Sequence, residues 1–147
     1  MRIIYKEVVV YVDKKYIFIP TGKDKKYGGV SDIDSVSEID ITCSDEELYK
    51  EIVDAFNRCY SMRARHERRT PLEKHLNVKS YSNACKGKKL ISLKWTKEDG
   101  YTIMPTEKIR KRGYVLMRDS TFFIGDKLDY EKTIKFFKQA VELSKTY

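Results

Sequence analysis

Sliding the chain along itself by 85 positions lays Tyr16–Met62 over Tyr101–Tyr147 without a gap. The match opens on YIFIPTGK over YTIMPTEK, where Tyr16, Pro20, Thr21 and Lys23 fall on Tyr101, Pro105, Thr106 and Lys108. It runs on through Lys26/Lys111, Gly28/Gly113, Val30/Val115, Asp34/Asp119, Ser35/Ser120 and Ile39/Ile124. It closes on Glu46/Glu131, Lys50/Lys135 and Ala55/Ala140. An offset this long exceeds any solenoid period, and two copies are too few for a stacked array. The repeat therefore predicts one pseudo-symmetric domain over 1–147, with units at 1–62 and 86–147 joined by a basic insert over 63–89.

Each unit reads as a β-hairpin, a further strand and a helix. KEVVVYV and KKYIFIP are rich in β-branched and aromatic residues and flank a break at Asp13-Lys14-Lys15. Pro20 is expected to end the second strand, because it cannot donate to a ladder. Gly22, Gly28 and Gly29 mark a loop, and Ser35–Ile41 alternates polar and apolar residues as a half-buried strand does. Ser44 opens a capping box with Glu47, and Leu48, Ile52, Ala55, Phe56 and Cys59 fall on one helical face. The second unit repeats this plan: a hairpin turns at Asp99-Gly100, strands follow at 113–117 and 120–124, and Asp129 caps a last helix. The fold class expected is α+β, a mainly antiparallel sheet with helices packed on one face. Within the insert, Pro71 starts a short helix flanked by mobile basic loops.

A domain of 147 residues buries about two thirds of its unfolded surface. No apolar stretch approaches the ~20 residues of a membrane span, and MRIIYKEVVVYV lacks a signal-peptide layout, so a soluble cytoplasmic protein is expected. Cys43, Cys59 and Cys85 form no CxxC pair and read as free, buried thiols in a reducing compartment.

The net charge of +8 conceals a division. Ser31–Asp54 carries nine carboxylates against Lys50 alone, whereas Arg63–Lys94 carries ten cations against Glu67 and Glu73. Such a split points to two surfaces with different partners, or to one surface neutralising the other.

Catalytic patterns are nearly absent. His66-Glu67 opens like a zinc-protease motif, but Thr70 stands where the second histidine is required. His66 and His75 have no metal-ligand spacing, and no nucleophile elbow, P-loop or dinucleotide fingerprint is present. A nuclease built on His66 with Arg68 or Lys74 is conceivable, yet nothing in the spacing singles it out. No enzyme activity, cofactor or metal is expected. Two binding surfaces remain. The acidic set Asp32, Asp34, Glu38, Asp40, Asp45 and Glu46 could occupy a cationic groove in place of a phosphate chain. The basic set Arg63, Arg65, Arg68, Arg69, Lys86, Lys88 and Lys89 could hold phosphates, though Tyr81 alone interleaves it and RNP or GXXG signatures are missing.

The repeated unit, carried by Ile19-Pro20-Thr21, by Ser44–Leu48 with Ala55-Phe56, and by Ile103–Thr106 with Ala140, resembles contact-dependent growth inhibition immunity proteins. The resemblance implies a small cytoplasmic bacterial protein encoded just downstream of a large secreted adhesin. It would bind and neutralise that adhesin's C-terminal toxin domain, often a nuclease, without catalysis. No contact residue carries over by position, and the oligomeric state is left open. Inhibitors of basic nucleases tend to be acidic, whereas this chain is basic. Either the acidic face makes the contact, or the toxin is acidic and the insert does. A nucleic-acid-binding module using the insert is the alternative function.

Overall fold

The computed structural model describes residues 2–147. Eight strands form one antiparallel sheet. β1 (Tyr5–Val12) and β2 (Lys15–Lys23) make the first hairpin, and β3 (Val30–Asp32) and β4 (Ser37–Asp40) both pair with β2. α1 (Asp45–Arg58) follows, then two short insert helices, α2 (Pro71–Leu76) and α3 (Tyr81–Cys85). β5 (Lys89–Thr96) and β6 (Gly100–Ile109) make the second hairpin, β7 (Gly113–Leu116) and β8 (Phe122–Gly125) pair with β6, and α4 (Tyr130–Leu143) closes the chain.

The repeat sets the centre of this sheet. β1 pairs antiparallel with β5, and Val9 faces Ser92, its equivalent by hairpin register, since Val8 lies opposite Pro20 as Ile91 lies opposite Pro105. A pseudo-twofold axis through that pair exchanges β1 with β5, β2 with β6, and α1 with α4. The two long helices each span 14 residues at the same offset. The halves also share a strand-crossing bond: Tyr60 N–H donates to the Thr21 carbonyl as Lys145 N–H donates to that of Thr106.

Pro20 does not end β2, which continues to Lys23. It sits where β2 changes partner, between the last β4 pair (Phe18 with Ser37) and the first β3 pair (Thr21 with Asp32). There an N–H is not needed, while the Pro20 carbonyl still accepts from Ile33 N–H at 3.1 Å. Pro105 occupies the same junction in β6, accepting from Met117 N–H at 2.9 Å. Gly22 likewise lies inside β2, where the close approach of the chain excludes a side chain: a Cβ would meet the Met62 carbonyl oxygen at 2.5 Å.

Both faces of the first hairpin are buried, not one. Val8, Val10, Val12, Tyr16 and Phe18 pack under α1 and α4 with Leu48, Ile52, Phe56 and Phe137. The alternate residues Tyr11, Ile17 and Ile19 pack under the insert against Leu72, Ala84 and Cys85. The unbroken runs VVVYV and YIFI are the sequence sign of this, since a strand exposed on one face alternates. The insert is thus a second layer rather than a set of free loops, and Tyr81 hydroxyl bonds that of Tyr11 at 2.6 Å. Ser44 accepts from Glu47 N–H at 3.2 Å, but the reciprocal capping box forms at Thr70 and Glu73, the start of α2. Cys59 and Cys85 are buried, and Cys43 is half-buried; all three are free.

Candidate partner-binding face

The acidic set is largely engaged within the protein. Lys74 Nζ donates to Asp34 and to Glu67, both at 2.7 Å. Glu38 receives Lys15 Nζ, and His75 Nε2 lies 2.6 Å from its other oxygen. The hydrogen bond from Lys15, and secondly that with His75, hold the Glu38 carboxyl below its ordinary range. Asp40 accepts from Thr42 N–H at 2.9 Å and from the Thr42 hydroxyl at 2.7 Å, and Lys138 Nζ reaches Asp45 at 2.6 Å. Glu46 stays exposed on the first turn of α1. Asp34 and Glu38 therefore face the insert, while Asp40, Asp45 and Glu46 lie by the start of α1. The basic segment itself meets this one at two points, Lys74 on Asp34 and His75 beside Glu38, while Lys15 and Lys138 come from elsewhere in the chain.

Asp32 differs from the rest. It lies half-buried in β3, where burial, and secondly the charge of Glu7, push its carboxyl up to about 7. A carboxyl raised above its unfolded value of about 3.9 favours folding when protonated and loses that contribution as pH rises through the folded value. Asp32→Asn is expected to raise the denaturation midpoint at pH 8 and to leave it nearly unchanged at pH 4. Equal shifts at the two pH values would contradict the assignment.

The basic set divides as well. Lys88 is 9% exposed and pairs with Asp13 at 3.2 Å, and Lys89 Nζ donates to the Val141 carbonyl at 2.8 Å. Lys88 holds the end of the insert to the first hairpin, and Lys89, the first residue of β5, ties that strand to α4. Lys86, Arg63, Arg65 and Arg68 are exposed and Arg69 is half-buried. Arg65 has only the distant carboxylate of Glu67, at 4.0 Å. Arg68, Arg69 and Lys79 line a cleft of about 440 Å³ together with Glu67 and Lys74.

Beside these arginines stands a cluster that spacing did not reveal. Asp24 is 2% exposed, and its carboxylate accepts from Lys26 N–H (2.9 Å), Tyr27 N–H (3.0 Å) and the Ser31 hydroxyl (2.6 Å). His66 Nε2 lies 2.8 Å from the same carboxylate. The Ser31 bond, then the backbone donors and His66, hold this carboxyl far below the usual carboxylate range. Backbone bonds between Asp24 and Gly28 and between Asp24 and Gly29, each 3.0 Å, close the loop, with both glycines at positive φ. The sequence signal was an aspartate ahead of Gly28-Gly29, a turn in which the side chain bonds its own backbone.

The loop raises Tyr27 into solvent at 73% exposure, its ring edge-on to His66 at 4.8 Å. His66, the one catalytic candidate, is thereby a brace. The Ser31 hydroxyl and His66 Nε2 each bond the Asp24 carboxylate, one oxygen apiece, whereas in a catalytic triad the imidazole itself takes the serine proton. Among the described residues no group of three or more His, Cys, Asp or Glu could hold a metal ion. No helix among them is long and apolar enough to cross a membrane.

No protein-family model matches the chain, and no curated protein sequence matches it. Its fold does match solved structures almost end to end. A Neisseria meningitidis protein of unknown function superposes with a TM-score of 0.70 at 9% identity, over 95% of each chain. A chain of the CdiA-CT/CdiI toxin and immunity complex from Yersinia pseudotuberculosis superposes with a TM-score of 0.69 at 12% identity, over 97% of this chain and 98% of that one. At such identities the likeness is one of fold.

Proposed function

We propose that this chain is a toxin-neutralising immunity protein of the contact-dependent growth inhibition type. It binds the C-terminal toxin domain of a cognate secreted adhesin in the cytoplasm and blocks it without catalysis. The observation that carries the reading is the end-to-end fold likeness to a chain of a toxin and immunity complex. The repeated motif around Pro20 and Pro105 supports the immunity side of such a pair. The brace geometry of Asp24, Ser31 and His66 supports binding over hydrolysis. A nuclease is the toxin class we assign to the partner, following the resemblance.

The test is rescue. The C-terminal region encoded by the reading frame just upstream of this gene is expressed in a susceptible cell, with and without this protein. Toxicity that disappears on co-expression is the expected result. Toxicity untouched by the protein would remove the reading and bring the insert and nucleic acid forward.

A further inference from the structure

On that reading, we infer that the surface meeting the partner is the cationic face built around Tyr27, and that it takes an acidic protein surface. Exposed tyrosine and arginine on rigid backbone are the residues that dominate binding energy at protein interfaces. Among the described residues Tyr27 has the largest fractional exposure of any large apolar side chain, at 73%. Its loop is nonetheless fixed, by the four partners of the buried Asp24 carboxylate and by the edge contact with His66. An aromatic held in place in the free protein loses little conformational entropy on binding.

Uncompensated cations surround it. Lys25, Lys26 and Arg63 are exposed and take part in no ion pair within 4.0 Å among the described residues, and Arg65 has only Glu67 at that limit. The start of the insert lies along the loop: Ala64 N–H donates to the Lys23 carbonyl at 3.2 Å, and a hollow of about 340 Å³ is lined by Lys25 and Arg63 together. The sequence-derived acidic set, by contrast, has Asp34, Glu38 and Asp45 already paired with lysines. Net positive charge is therefore what this face offers, and an acidic partner is its complement.

Nucleic acid fits less well. Lys26 Nζ lies over the Tyr27 ring at 5.3 Å, where a stacked base would sit. Glu67, beside Arg65 and bound to Lys74, puts a carboxylate in the path of a continuous phosphate chain.

The test measures affinity by titration calorimetry, with the purified toxin domain of the upstream reading frame as probe. Three variants are compared with wild type: Tyr27→Ala, Arg63→Glu with Arg65→Glu, and Asp40→Lys with Glu46→Lys. Thermal melts confirm that each folds. Tyr27→Ala is expected to weaken binding by about 30-fold or more, the effect of a residue worth ~2 kcal/mol at an interface centre. The arginine reversal is expected to abolish binding, and the acidic reversal to leave it within about threefold. Wild-type binding that survives both Tyr27→Ala and the arginine reversal would overturn this surface and leave the immunity reading standing. Absence of wild-type binding would overturn both. A 20-base-pair duplex serves as second probe at physiological salt. Binding to it as tight as to the toxin domain, and lost in the arginine reversal, would assign the face to nucleic acid and overturn an acidic protein partner.

Discussion

Phe137→Ala is expected to cost about 3–5 kcal/mol of folding stability, the range for emptying an aromatic site in a core that cannot collapse. Phe137 is 0% exposed and packs edge-on against Tyr16 at 5.4 Å. It is the repeat equivalent of Ile52, and the two residues face the same side of the sheet from α4 and α1. The larger member of the pair is in α4, so its truncation leaves the larger void between the helix and the strands. Against a total of about 5–15 kcal/mol for an ordinary domain, the loss is severe. Urea denaturation should show a lower midpoint at an unchanged slope. Phe123, 62% exposed on β8, is the comparison. Phe123→Ala should change stability by no more than about 0.5 kcal/mol. Equal costs at the two positions would contradict the placement of the core.

Gly100→Ala is expected to cost about 2–4 kcal/mol, combining left-handed strain with the displacement of a neighbouring strand. Gly100 turns the second hairpin at φ +70°, and a Cβ there would sit 2.4 Å from the Gly125 carbonyl oxygen. Both sides of that contact are backbone, so no rotamer change relieves it. β8 would have to move away from β6 at the site where their register already shifts, between Tyr101 and Thr102. Gly87 separates the two contributions. Its φ of +71° is nearly the same, but a Cβ there meets nothing within 4 Å. Gly87→Ala should carry the conformational strain alone, about 1 kcal/mol. If the two alanine variants lose equal stability by denaturant titration, the close approach of β8 is not what requires glycine at 100.

The repeat was legible because symmetry survives in the residues that mark strand junctions and cap helices. Pro20 and Pro105 align, and α1 and α4 align over their full lengths. Local chemistry fixes such features: helix periodicity, Asp99-Gly100 at the turn, and the Ser44 and Asp129 caps, each of which accepts a backbone N–H three residues on. What stayed illegible depends on long-range partners. Whether Pro20 ends a strand is decided by which strands flank it, and those come from Val30–Asp32 and Ser37–Asp40. Whether the sheet is covered on one face or two is decided by where the insert folds back. The charges show the same limit. A count of carboxylates over Ser31–Asp54 identifies a negative segment, yet only the fold reveals Lys74 between Asp34 and Glu67 and His75 beside Glu38. The Asp24 loop escaped for a related reason: His66, 42 residues away, supplies one of its four partners.

The central claim is that this protein neutralises a toxin by binding it. The most direct measurement is a titration of toxin activity against added protein at a fixed toxin concentration well above the dissociation constant. Stoichiometric binding predicts a linear fall reaching zero at one molar equivalent, with activity returning when the complex is dissociated and the toxin recovered. Complete loss at a small fraction of an equivalent, or loss that persists after the protein is removed, would show that it acts by turnover and would contradict the account.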